Sequence, residues 1–313
     1  MTDRITTLTI NPALDLSTAV DELRPFSKLR CAGERRDPGG GGINVARAAK
    51  RLGAVPTAVY PAGGPIGAFL AQLVAAEGIE SVVVPIAGDT REDVTVTETK
   101  SGRQFRFVLA GPRLAETEWR RCLDDFAVRL TPQTLAVASG SLPPGVPDDF
   151  YALLARTVKA AGAQLVLDCS GPPLKAALDA GVYLIKPNLR ELRGLLGETL
   201  PDQASWVSAA RRLIEAGHVE VVALSLAEEG ALLVTRDRAW RAYAPQVAPV
   251  SSVGAGDSFL GAMVWSLARG DAPCDAFRRA VAAGTAALLA HGTELCRVGD
   301  VDALTSAVRV VET

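Results

Sequence analysis

Pro38-Gly39-Gly40-Gly41-Gly42-Ile43-Asn44 and Val253-Gly254-Ala255-Gly256-Asp257-Ser258 are two glycine-rich turns about two hundred residues apart in this chain. Each runs directly into a helix-like pattern, Asn44-Val45-Ala46-Arg47-Ala48-Ala49 in one case and Phe259-Leu260-Gly261-Ala262-Met263-Val264 in the other. A turn that opens a helix points unpaired backbone N–H groups outward, which suits phosphate or developing negative charge. The second turn also sets the carboxylate of Asp257 at the helix mouth. An anion-stabilising turn beside a base is the layout of a phosphoryl-transfer site.

Outward from these turns, strand and helix alternate. Strands are expected at Ile5 to Ile10, Val55 to Tyr60, Val82 to Val84, 134–138, Gln164 to Asp168, Tyr183 to Lys186 and Val219 to Ser225. Helices are expected at 44–52, 66–78, 116–129, 148–161, 189–196, 202–216, 256–268, 273–289 and near 300–311. Strand runs rich in β-branched residues and without clean alternation imply burial on both faces. With helices between them, they predict an α/β fold built on a covered parallel sheet. In such sheets ligands sit beyond the carboxyl ends of the strands. Two stretches break the rhythm. Residues 14–37 hold no good helix, and 92–109 alternate like a hairpin around Lys100-Ser101-Gly102. Together, about 14–37 and 91–109 are expected to form a small β-sheet lid over the crevice. Its exposed face needs cover, which predicts a homodimer joined through the lid.

Composition excludes several classes. The 313 residues are 48% hydrophobic and 22% charged, with a formal net charge of -2. That argues against disorder and gives no reason to expect nucleic acid or a membrane as partner. Five cysteines, at 31, 122, 169, 274 and 296, show no short paired spacing, and His218 and His291 are the only histidines. No zinc constellation follows from these, and free thiols in a reducing, cytoplasmic setting are expected. The N-terminal stretch carries no long apolar run, since Asn11 and Asp15 interrupt it. Locally, Lys28, Arg30, Arg35 and Arg36, then Arg91, Arg103 and Arg106, gather positive charge. They are ordinary solvated surface or a clamp for an anionic small substrate.

Each candidate residue has a plain structural reading beside its chemical one. Asp257 fits an early-turn helix aspartate, or a general base reached past Gly254, Ala255 and Gly256 while their N–H groups face phosphoryl oxygens. No Gly-Lys-Ser/Thr follows either glycine run, so this is not a P-loop. Gly39 to Gly42 fit a hinge, or a close backbone approach to a polyol through Gly40 and Gly41. Asn44 donates and accepts at once, which suits adjacent sugar hydroxyls. Asp15, after Asn11-Pro12-Ala13-Leu14, is a turn residue or a clasp for two hydroxyls. In Lys186-Pro187-Asn188-Leu189-Arg190-Glu191, Asn188 reads as a cap and Glu191 as a first-turn acid. With Lys186 the same residues could hold a triphosphate and its Mg²⁺. Ser139-Gly140-Ser141 ends another strand with hydroxyls.

These motifs, with Leu8-Thr9-Ile10-Asn11-Pro12-Ala13-Leu14-Asp15, Lys28-Leu29-Arg30, Pro61-Ala62-Gly63-Gly64 and Phe105-Arg106-Phe107-Val108, resemble the phosphosugar kinases of the ribokinase superfamily along essentially the whole chain. The resemblance implies a single ribokinase-like kinase domain over 1–313, a three-layer α/β/α core with a small β-sheet lid, with ATP and Mg²⁺ as donor and metal. It implies transfer to the C1 hydroxyl of fructose 6-phosphate, giving fructose 1,6-bisphosphate and ADP. Gly39 to Gly42 favour that 6-phosphofructokinase activity, because relatives acting on other phosphosugars more often carry a lysine in this turn. Tagatose-6-phosphate kinase and 1-phosphofructokinase are the alternatives within the fold, and an inactive phosphosugar-binding regulator is the alternative outside enzymes. By the same resemblance, Asp257 is the base and Gly254, Ala255 and Gly256 form the anion hole. Asp15, Gly40, Gly41 and Asn44 hold sugar hydroxyls, while Lys28, Arg91, Arg106 and Ser139 face the sugar phosphate. Lys186, Asn188, Glu191, Ser225, Gly230 and Gly256 serve the nucleotide, with Glu191 holding Mg²⁺ through water. Carbonyls near Ser251 and Val253 are implied to bind K⁺. Ala227 and Ala290 depart from a glycine and an asparagine common in the family, and both departures fall on the nucleotide side.

Overall fold

The computed structural model describes residues 4–290 and 292–313; His291 lies outside them. Seven parallel strands carry the core: β1 (Arg4–Leu8), β4 (Thr57–Ala62), β5 (Glu80–Pro85), β8 (Thr134–Ser139), β9 (Gln164–Asp168), β10 (Val182–Ile185) and β11 (Val219–Ser225). Three antiparallel strands extend one edge: β12 (Ala231–Val234), β13 (Ala239–Tyr243) and β14 (Arg309–Glu312). The order is β14-β13-β12-β11-β10-β9-β8-β1-β4-β5. The sheet is therefore mixed, which corrects the all-parallel expectation. The extra strands are short, and the Thr235-Arg236-Asp237-Arg238 turn between β12 and β13 has no glycine to announce it.

Period-two alternation sends side chains of one strand into two separate cores. Leu135 and Val137 of β8 join Val166, Leu184, Val221 and Ala223 on one face. Ala136 and Ala138 join Leu167, Ile185, Val222 and Leu224 on the other. Helices α1 (Gly41–Arg51), α8 (Ala255–Ala268), α9 (Pro273–Ala287) and α10 (Val298–Thr305) cover the first face. Helices α3 (Glu116–Ala127), α4 (Phe150–Ala160), α5 (Pro172–Ala180), α6 (Leu189–Leu196) and α7 (Gln203–Glu215) cover the second. Helix α2 (Gly64–Ala76) packs by β4 and β5.

Two differences from the sequence expectation have local causes. Helix α5 opens on Pro172-Pro173, a pair that reads as a breaker yet suits the first helical positions. The final helix stops at Thr305, and the β-branched Val310 and Val311 lie in strand β14 instead. No helix among the described residues is long and apolar enough to cross a membrane.

The lid is a separate four-stranded sheet, β3 (Ala32–Gly39), β2 (Ala13–Val20), β6 (Arg91–Glu98) and β7 (Gln104–Phe107), in that order. Strand β2 pairs parallel with β6, while β2–β3 and β6–β7 pair antiparallel. Because β2 follows β1 and β3 leads into α1, the lid roots directly over the carboxyl ends of the core strands.

Candidate active site

Two clefts open at that end of the sheet. One, of about 580 Å³, is lined by Asp15, Gly40, Gly41, Asn44, Arg91, Asp93, Arg106, Ser139, Asp168, Glu191, Gly254 and Asp257, among others. The second, of about 640 Å³ and more apolar, includes Lys186, Asn188, Ser225, Ala227, Gly230, Ala255 and Gly256. They adjoin at the start of α8, where Asp257 faces the first and Gly256 the second.

Gly254 makes this junction possible. Its φ of +77° is a left-handed conformation that favours glycine, and a Cβ there would stand 2.5 Å from the Leu295 side chain. Helix α8 then begins at Ala255, and the first N–H bonded back along the helix is that of Ser258, to the Gly254 carbonyl at 2.8 Å. Among the described residues the N–H groups of Ala255, Gly256 and Asp257 have no carbonyl partner. They form a free positive end beside the Asp257 carboxylate.

Asn44 donates its side-chain N–H to Asp257 Oδ2 at 3.0 Å. Burial pushes the Asp257 carboxyl up, the neighbouring Asp168 pushes it further, and Asn44, Lys186 and Arg106 oppose them, leaving it at about 6. Lys186 Nζ lies 3.1 Å from Asp168 Oδ2 and is nearly fully buried. Burial disfavours its charge, but Asp168, Asp257 and Glu191 outweigh this and raise it above the ordinary lysine range. Asp15, also buried, is raised to about 7, first by burial and then by Asp93, against the pull of Arg106 and Arg47.

The first glycine turn is shaped by the protein itself. Side chains at Gly39, Gly41 and Gly42 would collide with the Asp15 carboxyl, Ser139 Oγ and Leu8 O, respectively. Gly40, at φ +106°, would strike Thr9. These glycines thus let Asp15, Ser139 and the loop share one small space. Gly40 and Gly41 do reach the cleft.

Other expected residues land unequally. Arg106 on β7 extends into the first cleft, and Ser139 Oγ lies there 3.5 Å from Asp168 Oδ2. Arg91 lines the cleft but is tied to Asp93, Leu109 O and Asn11 O, so it pins the lid as well. Lys28 is exposed in the β2–β3 connection and lines neither cleft. Asn44 is largely committed: its Oδ1 accepts from Arg47 and one N–H goes to Asp257, leaving a single N–H for a sugar.

Asn188 and Glu191 cap α6 reciprocally, each side chain accepting from the other's N–H at 2.9 Å, yet each also borders a cleft. Ser225 and Gly230 line the second cleft, and a Cβ at Gly230 would meet Ala242 O at 2.2 Å. Ala227 sits there with φ +51°, while Ala290 is buried away from the lining. Ser251 Oγ donates to Gly292 O at 3.0 Å, and among the described residues nothing donates to the carbonyls of Ser251 and Val253.

Asp168 is the main residue the sequence reading missed. It ends a strand, and the run Leu167-Asp168-Cys169-Ser170 offered that signal. Asp93 and Arg47 were missed as well; both are buried charges, Asp93 held by Arg91 and the Leu109 N–H, Arg47 by Asn44, Pro38 and Glu77.

The pfkB family carbohydrate kinase pattern matches residues 9–298. The chain belongs to the pfkB family of carbohydrate kinases. It is 44% identical over 299 residues to the ATP-dependent 6-phosphofructokinase isozyme 2 of Mycobacterium tuberculosis, covering 96% of this chain and 88% of that protein. It is 40% identical over 298 residues to the Escherichia coli isozyme 2, covering 95% and 96%. The kinase superposes on the E. coli phosphofructokinase-2 structure in complex with potassium with a TM-score of 0.93, at 38% identity and 97% and 98% coverage. Its three-layer core and lid are thus those of the ribokinase-like fold.

One expectation is overturned. A structure of the E. coli phosphofructokinase-2, TM-score 0.92, is of its tetrameric inhibited form, which overturns the expectation of a homodimer through the lid. The exposed lid residues Phe105 and Phe107, two apart on β7, mark one apolar face. A single patch can account for one pairing but does not limit how many other surfaces pair.

Proposed function

We propose that this kinase transfers the γ-phosphoryl group of ATP to the C1 hydroxyl of fructose 6-phosphate, giving fructose 1,6-bisphosphate and ADP. The observation that carries the reading is Asp257, a carboxylate held by Asn44 at the free N-terminal end of α8, where a polar cleft and a more apolar one adjoin. The names of the M. tuberculosis and E. coli relatives support the substrate and the donor.

The polar cleft takes the sugar. Asp15 and the remaining Asn44 N–H bind hydroxyls beside Gly40 and Gly41, while Arg106 and Ser139, with Arg91 behind them, face the 6-phosphate. The other cleft takes the nucleotide against Ser225, Gly230 and Gly256. Asp257 accepts the C1 hydroxyl proton as the oxygen–phosphorus bond forms and the bond to ADP breaks. The N–H groups of Ala255 and Gly256 and the Lys186 ammonium stabilise charge on the transferring group, a role in which fixed donors outperform water. Lid cover limits transfer to water.

Mg²⁺ supplies charge neutralisation at the phosphate oxygens. Glu191, with Asn188 nearby, fits a water-mediated hold on a metal that arrives with the triphosphate. Among the described residues no group of three or more His, Cys, Asp or Glu could hold a metal without such help. The free carbonyls of Ser251 and Val253 have the oxygen chemistry for K⁺, the ion in the E. coli complex.

Coupled ADP release with ATP, Mg²⁺ and K⁺ tests the reading. Fructose 6-phosphate is expected to give the highest kcat/KM against tagatose 6-phosphate, fructose 1-phosphate and fructose. A higher value for another phosphosugar moves the substrate assignment, and no turnover on any removes the activity.

A further inference from the structure

We propose that Arg47 is a positioning residue for phosphoryl transfer: it fixes the Asn44 amide so that the nitrogen, and not the oxygen, faces Asp257. Arg47 lies one turn beyond Asn44 on α1 and is 1% exposed. Its Nη1 donates to Asn44 Oδ1 at 3.0 Å and to Pro38 O at 2.9 Å, and its Nε donates to Glu77 Oε1 at 2.7 Å. Asp37 stands 3.8 Å from Nη2.

Donor chemistry decides the amide's orientation. A guanidinium only donates, and an ionised carboxylate only accepts. The Asn44 side chain lies between one of each, so only one of its two orientations satisfies both neighbours. Reversed, it would set an oxygen against the Asp257 carboxylate and an NH₂ group against Arg47. Without Arg47 the amide is free to turn, and the base loses the hydrogen bond that favours its ionised form.

Glu77, at the end of α2, anchors the guanidinium from behind. Pro38 belongs to lid strand β3, so the same side chain ties the lid root to the base. The groups facing Asp257 are Asp168 at the end of β9, Lys186 after β10, Arg106 on β7, Asp15 on β2 and Asn44 itself. Arg47 acts on it through Asn44.

The inference rests on Asp257 being the base, and Asp257→Asn is the control for that. Arg47→Met removes the fork. Arg47→Lys keeps a positive charge for Glu77 and Asp37, and so keeps the fold, but its ammonium pairs with Glu77 and leaves Asn44 free. In folded variants we expect kcat to fall about tenfold or more, KM for ATP to stay within about twofold, and the acid limb of kcat to move to higher pH. In an Asn44→Ala background, Arg47→Lys is expected to add no further loss. Wild-type kcat and acid limb in Arg47→Lys, or a fully additive loss on top of Asn44→Ala, would overturn the proposal while an inactive Asp257→Asn left the base intact. An active Asp257→Asn overturns both.

Discussion

In the proposed mechanism Asp257 is the proton acceptor. Replacing it with Asn keeps shape and much of the polarity but removes the proton acceptor. A general base typically contributes about 10²–10⁴ in rate, so D257N is expected to lose turnover by that order while still binding ATP. Near-wild-type kcat in the folded variant would remove Asp257 from the base role. The same group sets an acid limit. With its carboxyl at about 6, the base is lost as pH falls through that value, and kcat should decline there. A kcat flat down to pH 5 would contradict this.

Helix α6 shows how one element serves two ends. Asn188 and Glu191 close its first turn, a cap of the kind that contributes about 1 kcal/mol, and Glu191 also borders the sugar-side cleft. The two roles separate in Glu191→Gln. Glutamine still accepts from the Asn188 N–H, so the melting temperature should hardly change. It carries no charge for a hydrated Mg²⁺, so kcat/KM for MgATP should fall roughly tenfold or more. A variant that melts early but keeps its kinetics would leave Glu191 as a cap only. Helix α8 has the reverse economy: its first turn has no side-chain cap, and its N–H groups stay free for an anion.

For the whole molecule, the site is a store of unfavourable charge. Asp15 and Asp257 hold protons more tightly when folded than the ordinary carboxyl value near 3.8. Between about pH 4 and 7 the folded state therefore binds more protons, and their contribution to stability falls as pH rises through that window. Asp15→Asn removes the larger of these burdens. It should raise the melting temperature of the ligand-free protein by roughly 2–4 °C at pH 8, with a clearly smaller gain at pH 5, while weakening sugar binding. An equal shift at both pH values would trace to packing and not to charge.

Local sequence determined the elements that follow local rules. Gly254 opens α8, Asn188 and Glu191 cap α6, and the apolar runs at Gln164–Asp168 and Val219–Ser225 give core strands with the expected bounds. Asp257, Asp15, Arg106 and Lys186 stood out because they flank such signals. What depends on distant partners was not legible. Strands β12 to β14 exist through pairing at the sheet edge, and the Gly39 to Gly42 run is small because Asp15, Thr9, Ser139 and Leu8 crowd it. Asp168 matters through Lys186, and Arg47 through Asn44, Pro38 and Glu77. Sequence by itself set the alternation of the parallel core strands with their helices and named side chains of the right type for the chemistry, since those follow from periodicity and side-chain type. Only the tertiary structure decided which charges face one another, because burial and hydrogen-bond partners are set by segments that meet in space and not along the chain.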